Sequence, residues 1–127
     1  MKEEISCAFC DPPRERLILD NDLAYALRDA YPVTPLHSLV IPYRHAADYF
    51  ALTKDELLAC DALLHRLAES FRETDSGVEG YNIGVNVGAV AGQTVFHCHF
   101  HLIPRRRGDV ENPRGGVRHL IPGKGTY

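Results

Sequence analysis

The 127-residue sequence has no apolar run close to the roughly 20 residues that a membrane-spanning helix requires. Its first residues, Met1 to Ile5, are acidic and lack the hydrophobic stretch of a signal peptide, so we expect a cytoplasmic protein. Internal repeats, low-complexity tracts and linkers are absent as well. The length and the 45% hydrophobic content therefore predict one domain over residues 1–127, with a single core of modest size.

A general excess of positive charge, which nucleic-acid-binding domains usually carry, is missing too. The net charge is −3, which makes nucleic acid an unfavoured partner. The distribution is uneven, because residues 97–127 contain six Lys or Arg against two Asp or Glu, whereas the preceding residues contain eight against fifteen. A positive segment of this size suits a small polyanion better than a long duplex.

Short apolar segments separated by turn signals predict five strands and one long helix. Three strands, at residues 16–19, 23–28 and 38–41, precede the helix, and two, at 81–86 and 95–103, follow it. Pro42 and Pro104 are expected to end the third and fifth strands, because proline donates no ladder hydrogen bond. Since short connections favour antiparallel pairing, the predicted fold class is α+β.

The helix is predicted to begin after Thr53, which forms a capping box with Glu56, and to extend to about Thr74. Its apolar stripe consists of Leu57, Cys60, Leu64, Leu67 and Phe71. One helix covers only one face of a five-stranded sheet. The other face is therefore expected to be solvated, functional or buried in an oligomer.

Three histidines alternate with apolar residues near the C-terminal end of the pattern. The segment reads His97, Cys98, His99, Phe100, His101. In a strand the imidazoles share one face, and the apolar side chains share the face that meets the helix. Imidazole is a nucleophile and an acid or base near pH 7, and the Gly-rich loop at residues 88–94 offers backbone N–H groups to phosphate oxygens.

Two other interpretations of these histidines stay open. They could be part of a solvated strand face, or they could bind a metal. On a regular strand the outer two imidazoles lie about 13 Å apart, so a single ion cannot bind all three.

The segment Gly92–Ile103 resembles the histidine triad signature, His-φ-His-φ-His-φ-φ, in which φ is apolar. Asp29 and the segment Pro35–Pro42 also resemble segments of that family, and the resemblance extends in order from Cys7 to Pro104. It implies a five-stranded antiparallel sheet with one long helix and a short helix. It also implies a homodimer in which two such sheets join into a ten-stranded sheet.

The resemblance implies a nucleotide hydrolase or nucleotidyl transferase that attacks the α-phosphate of a purine nucleotide through a covalent nucleotidyl-histidine. His99 would be the nucleophile, His101 would bind phosphate oxygens, and His97 with His37 would orient His99 through a hydrogen-bonded relay. The implied nucleotide contacts are Leu27 at the base, Asp29 at the ribose, and Asn86, Gly92 and Thr94 at the α-phosphate. They also include Gln93. A neutral imidazole attacks without losing a proton, so we expect no cofactor in the chemical step.

The residues after the triad bear on the branch of the family. Arg105-Arg106-Arg107-Gly108-Asp109 resembles the diadenosine polyphosphate hydrolase (Fhit-like) branch, and the chain lacks the tryptophan of the nucleoside phosphoramidase branch. The basic, irregular tail at residues 105–127 would either engage the β-phosphate or be a solvated run of charge. A nucleotide-binding scaffold with little turnover, and an enzyme that removes adenylate from nucleic-acid ends, are the alternative functions.

Cys7 and Cys10 form a C-x-x-C pair within the N-terminal segment, residues 1–15. Such a pair is half of a zinc site or simply two reduced thiols. The resemblance to zinc-containing bacterial histidine triad proteins adds His45 and His97, which completes a Cys2His2 set for a structural zinc. His97 would then be a ligand rather than a relay member, because the two roles compete for its ring nitrogens.

Overall fold

The computed structural model describes residues 7–127, so the acidic N-terminal stretch, Met1 to Ile5, lies outside the described residues. The strands are β1 (Leu17–Asp20), β2 (Ala24–Arg28), β3 (Ser38–Pro42), β4 (Val78–Gly84) and β5 (Phe100–Arg106), and the long helix is α1 (Lys54–Thr74). Short 3₁₀ helices cover Arg14–Arg16, Tyr49–Ala51, Ala89–Ala91 and Gly116–Leu120. None of the helices in residues 7–127 combines the length and the apolar character that crossing a bilayer requires.

The five strands form one antiparallel sheet in the order β1-β2-β3-β5-β4. This confirms the predicted α+β fold with a single sheet and one long helix. Only β5 crosses over, because it inserts between β3 and β4. The insertion brings the histidine segment to the middle of the sheet, where Leu39 of β3 and Gly84 of β4 flank His101.

Helix α1 covers one face of the sheet, as the apolar stripe predicts. The capping box between Thr53 and Glu56 is present in both directions, and the helix ends at Thr74. The core beneath the helix contains Cys60, Leu63, Leu67 and Phe71 of α1, Ala24, Ala26 and Val40 of the neighbouring strands, and Cys98, Phe100 and Leu102. The apolar residues of the histidine segment therefore meet the helix, and Cys60 and Cys98 are buried in the core as expected.

The opposite face of the sheet has a smaller core of its own. Tyr25, Leu27, Leu39 and Ile41 are buried there. No helix in residues 7–127 covers them, and Phe9, Leu17 and Tyr43 pack on them instead. The N-terminal segment therefore covers part of the face that the helix leaves open.

Strand β5 begins at Phe100, not at residue 95 as predicted. Pairing with β3 starts at Val40 and Phe100, and before that point the backbone N–H of Cys98 donates to the carbonyl of Ala46, 2.7 Å away. His97 and His99 thus precede the strand, and their alternating pattern looks the same whether or not a partner strand is present.

Pro104 does not end β5, which continues to Arg106. Pairing with β3 stops at Ser38 and Leu102, so β5 has a free edge beyond that point. The carbonyl of Pro104 accepts a hydrogen bond from the Thr34 hydroxyl at 2.8 Å on this edge. A residue's N and C=O point to the same side of a strand, so the missing N–H of Pro104 costs no bond to β4. Arg105 and Arg106, the first residues of the predicted tail, therefore belong to the sheet.

Glu56 is buried at the start of α1, and its carboxylate accepts two hydrogen bonds from Arg44, at 2.7 and 2.8 Å. These bonds, assisted by Thr53, hold the pKa of Glu56 at about 2. A carboxyl group whose pKa falls on folding stabilises the fold above its unfolded pKa, near 4.5, and loses that contribution as the pH falls toward 2.

Replacing Glu56 with glutamine is expected to lower the free energy of unfolding by about 2 kcal/mol at pH 7. The loss is limited because Arg44 is half-exposed and regains water. Urea denaturation at pH 7 and pH 2.5 checks this, with Glu69→Gln on the exposed face of α1 as the matched control. An equal loss at both pH values would contradict the assignment to the ionised pair.

Candidate active site

A cleft of about 480 Å³ opens on the face of the sheet opposite α1. Most residues predicted to contact a nucleotide line this single cleft: Leu27, Asp29, Asn86, Gly92, Thr94, His99 and His101. They come from β2, from the connection after β4 and from the histidine segment. The fold therefore brings together residues that are up to 74 positions apart in the chain.

The imidazole of His99 is held by its own backbone segment. Its Nδ1 lies 2.8 Å from the carbonyl oxygen of His97, which can only accept a hydrogen bond. Nδ1 of His99 therefore carries the proton in the neutral ring, and Nε2 carries the lone pair. Since the ring lines the cleft, its neutral form offers a nitrogen nucleophile there.

A second chain of hydrogen bonds sets the proton of His101. The backbone N–H of Val33 donates to Nδ1 of His37 at 3.1 Å, so Nε2 of His37 carries the proton. That Nε2 lies 2.9 Å from Nδ1 of His101 and 3.4 Å from a carboxylate oxygen of Asp29. Nδ1 of His101 therefore accepts, and its Nε2–H is a donor for an anion in the cleft.

Burial keeps both of these imidazoles neutral. Desolvation lowers the pKa of His37 below its ordinary value, against the opposing effect of Asp29. Desolvation likewise lowers the pKa of His101, assisted by His99 and His37 and opposed by Asp29. Near pH 7 the neutral tautomers described above are therefore the ones that matter for chemistry.

The predicted relay to His99 differs from the observed contacts. The ring of His37 bonds to His101 and not to His99. The ring of His97 is fully buried, with Nε2 at 2.7 Å from the carbonyl oxygen of Pro42, and the backbone carbonyl of His97, not its ring, orients His99. His37 and His97 thus lie beside the site, but the hydrogen bonds that they make differ from the predicted relay.

The Gly-rich loop is shaped by Gln93. This side chain is buried, accepts from the N–H of Gly88 at 2.8 Å, and donates to the carbonyls of Ala47 and Val95. Gln93 therefore faces the protein and does not line the cleft, contrary to the prediction of a nucleotide contact. Gly88 and Gly92 have φ values of 92° and 96°, which other residues rarely adopt.

The arginines after the triad lie away from the cleft. Arg105 pairs with Asp109 at 2.8 Å, Arg106 with Asp75 at 3.0 Å and Arg107 with Glu79 at 2.8 Å. They lie at the far end of β5, where Arg105 is roughly 13 Å along the strand from His101. Each of these cations already has a carboxylate partner, and none of the three lines the cleft.

The four residues predicted to bind zinc come together. The Sγ atoms of Cys7 and Cys10 and the Nδ1 atoms of His45 and His97 lie within 4.8 Å of one another. Cys7 and Cys10 are 3.3 and 3.6 Å from His97, and Cys10 is 3.2 Å from His45. An ideal tetrahedral zinc with bonds of about 2.3 Å to sulfur and 2.05 Å to nitrogen gives S···N edges of about 3.5 Å.

The chemistry of these donors also fits a metal ion. The bond from Nε2 of His97 to the carbonyl of Pro42 leaves Nδ1 with its lone pair toward the thiols. The pKa of the Cys10 thiol is raised by partial desolvation and by its neighbour Cys7, since two adjacent thiolates repel. A dication among them would remove that repulsion.

A second group of ligand-type residues, Asp29, His37 and His101, is less suited to a metal. Binding through Nε2 of His37 would move the ring proton to Nδ1. Nδ1 would then face the N–H of Val33 at 3.1 Å, donor against donor. The hydrogen bonds therefore distinguish the two groups. Those around the cysteine and histidine group leave a lone pair free for a metal, whereas those around Asp29, His37 and His101 place a proton where a metal would bind.

Several cleft residues were not predicted from the sequence. Ala8, Phe9, Arg16, Ala30, Tyr31, Leu39 and Val95 complete the wall. Phe9 stands inside the C-x-x-C segment, and its ring centroid lies 5.1 Å from that of His99. The position of Phe9 between the two cysteines is the only sequence feature that marks it, and no motif near it in the sequence relates it to the histidines.

Comparison with known proteins agrees with this geometry. The HIT domain profile matches residues 13–108. An uncharacterised HIT-like protein of Mycoplasma genitalium is 39% identical over 104 residues, which cover 79% of this chain and 73% of that protein. An adenosine 5′-monophosphoramidase of Candida albicans is 32% identical over 114 residues, covering 84% of this chain and 74% of the relative.

A solved structure shares the fold as well. The crystal structure of a zinc-bound histidine triad family protein from Mycobacterium smegmatis superposes with a TM-score of 0.75 and 34% identity. The match covers 84% of this chain and 80% of that one. The profile, the relatives and the shared fold together show that this chain belongs to the HIT domain family.

Proposed function

We propose that this protein hydrolyses or transfers nucleoside monophosphate groups, with His99 as the nucleophile toward the α-phosphate. The observation that supports this most directly is the hydrogen bond from Nδ1 of His99 to the carbonyl of His97, 2.8 Å long. In the neutral ring it leaves the lone pair on Nε2, in a cleft that also offers an N–H donor from His101 and a Gly-rich loop. The cleft thus contains both a nucleophile, His99, and a donor that can stabilise negative charge on a phosphate, His101.

In the first step, Nε2 of His99 forms a bond to the α-phosphorus while the bond to the leaving group breaks. The Nε2–H of His101 stabilises the phosphoryl oxygens and supplies a proton to the departing amine or phosphate. Water then attacks the phosphorus of the nucleotidyl-histidine and gives one proton back to Nε2 of His101, while the bond between phosphorus and Nε2 of His99 breaks. This step releases a nucleoside monophosphate and restores the free imidazole of His99. Because the nucleophile is a neutral nitrogen with a free lone pair, we expect no cofactor in the chemical step.

The remaining wall residues suit a nucleoside. Leu27 is an apolar surface for a purine base, Asp29 is an acceptor for ribose hydroxyls, and Asn86, Gly92 and Thr94 border the phosphate position. Asp29 is partly engaged, since one oxygen accepts from the N–H of Tyr31 at 2.8 Å. Its other oxygen lies toward the two histidines and the cleft.

The leaving group is either an amine or a polyphosphate. The Fhit-like pattern at residues 105–109 favours dinucleoside polyphosphates, although the arginines that suggested it are paired with carboxylates. The relative in Candida albicans is named an adenosine 5′-monophosphoramidase, which favours phosphoramidates. Both substrate classes therefore belong in the test.

The test is release of AMP from diadenosine tetraphosphate and from adenosine 5′-phosphoramidate, followed by chromatography. We expect AMP from at least one of them, and a nucleotidyl-protein adduct in rapidly quenched samples by mass spectrometry. A folded sample that binds nucleotide without forming adduct or AMP would instead support a scaffold. Release of adenylate from adenylated DNA ends alone would support the end-processing alternative.

We infer that Cys7, Cys10, His45 and His97 hold a structural zinc. The zinc would join the N-terminal segment to the ring of His97 and so to the backbone that orients His99. This role is one of positioning, because His97 has no nitrogen left for the substrate. The zinc-bound histidine triad protein of Mycobacterium smegmatis supports the assignment.

We also infer a homodimer that joins two sheets into one of ten strands. Strand β4 pairs only with β5 among the residues described, so its outer edge is open, and Ile83 on it is 54% exposed. An open edge strand readily pairs with another chain. Sedimentation velocity at micromolar concentration is expected to show a dimer, and a monomer would contradict the inference.

A further inference from the structure

The segment between Cys7 and Cys10 carries a side chain that reaches the catalytic imidazole. Phe9 lies edge-on to His99, with ring centroids 5.1 Å apart, and edge-on to His97 at 6.1 Å. Ala8 and Phe9 both line the cleft. One turn of the chain thus contributes two thiols to the cluster of cysteines and histidines, and the side chains of Ala8 and Phe9 to the cleft wall.

Among residues 7–127, two hydrogen bonds support the backbone of this turn. The N–H of Cys10 donates to the carbonyl of Cys7 at 3.2 Å, and the hydroxyl of the buried Tyr25 donates to the carbonyl of Phe9 at 2.6 Å. The side chain of Phe9 packs on the small core formed by Tyr25, Leu27, Leu39 and Ile41. Cys10 itself is exposed, and its thiol makes weak contacts to the two imidazoles.

His99 also needs a second restraint. Within residues 7–127 its ring makes one hydrogen bond, at Nδ1, and an imidazole held at a single atom can still tilt about that bond. The edge of the Phe9 ring limits this motion from one side. Small displacements of a nucleophile cost much of its rate advantage, because attack requires alignment with phosphorus.

We propose that Phe9 is a positioning residue that couples the metal cluster to the nucleophile. Metal binding by Cys7, Cys10, His45 and His97 closes the turn, and the closed turn presses the Phe9 ring against His99 and completes the cleft wall. Metal content then controls how well the cleft is formed. This inference rests on the proposed function for its catalytic consequence, although its structural part is independent of turnover.

The chain has no tryptophan, so Phe9→Trp places a single tryptophan at this position, which is excited selectively over the six tyrosines. Titrating zinc chloride into metal-free Phe9→Trp protein is expected to shift the emission to shorter wavelength and raise its anisotropy, and a chelator reverses both. Phe50→Trp is the matched control, because Phe50 is 80% exposed and lies in Tyr49–Ala51, outside the cleft and the cluster. A response of the same size at both positions, or none at position 9, would overturn the coupling.

Unsubstituted protein gives a second readout that does not depend on how the tryptophan is accommodated. The imidazole ¹⁵N signals of His99 are expected to sharpen and shift when zinc chloride is added, and Phe9→Ala should abolish the sharpening while retaining bound zinc. Phe9→Leu, which keeps an apolar contact, should restore most of it. Identical His99 signals in all three proteins would contradict the role of Phe9.

The catalytic consequence is measured separately. Phe9→Ala is expected to lower kcat by about 10-fold, and zinc removal should then lower it little further, whereas zinc removal alone slows the parent. Additive effects of the two changes would contradict coupling through Phe9. If the parent releases no AMP at all, the proposed function fails, while the fluorescence and NMR results still decide whether the turn responds to metal.

Discussion

Replacing His99 with asparagine is expected to lower kcat/KM for AMP release by about 10⁴-fold or more. Asparagine keeps a polar side chain of similar reach, but its amide nitrogen has no lone pair available to form a bond with phosphorus. The loss is large because a missing nucleophile cannot be replaced by the remaining donors of the cleft. Steady-state kinetics with diadenosine tetraphosphate and adenosine 5′-phosphoramidate measure it.

A control variant and a binding measurement distinguish loss of the nucleophile from loss of the fold or of the cleft. His65→Asn is the matched control, because His65 lies on α1 with its side chain 78% exposed, and it should retain the parental rate. The His99→Asn protein should still bind AMP, since Leu27, Asp29 and the loop are unchanged. Turnover by His99→Asn at more than a tenth of the parental rate would exclude the covalent mechanism.

Purified protein is expected to contain one zinc per chain, and Cys7→Ser with Cys10→Ser should contain none. A ligand that binds only the folded state stabilises it in proportion to the logarithm of its concentration over Kd. At free zinc about a thousandfold above Kd, losing the site costs about 4 kcal/mol. Elemental analysis and chemical denaturation, each with and without a chelator, measure the two effects.

The two core cysteines offer the control. Burial raises the pKa of the Cys60 thiol to about 12 and that of Cys98 likewise, so neither is a thiolate ligand. Cys60→Ala should therefore keep its zinc, and its stability should still fall when a chelator is added. A parental protein without zinc, and with unfolding unaffected by chelator, would contradict the assignment.

Much of the fold was accessible from local pattern. The capping box of Thr53 and Glu56 is formed by residues three positions apart, so the helix start needs no distant partner. Alternation alone put Cys98 and Phe100 on the helix side, because neighbouring extended residues point to opposite sides. The boundaries of β5 were less accessible, since β3 decides where pairing begins.

The sequence predicts which residues form the site, but it does not predict the hydrogen bonds that they make. The triad residues and Asp29 were identified by spacing and resemblance, and the cleft contains His99, His101 and Asp29. The direction in which the His37 side chain points was not predicted, because Leu36 before it adopts a φ of 74°, a conformation that leucine rarely takes. This turn carries His37 to His101, 64 residues away in the chain.

Spacing and alternation in the chain were enough for the order of elements, the core face of the helix and the histidines that could react, because these depend on neighbours a few residues apart. The role of each histidine required the folded chain. For two of them a backbone group places the proton: the carbonyl of Pro42 for His97 and the N–H of Val33 for His37. Those groups lie 55 and 4 positions away, and only folding gives them a fixed direction toward the rings.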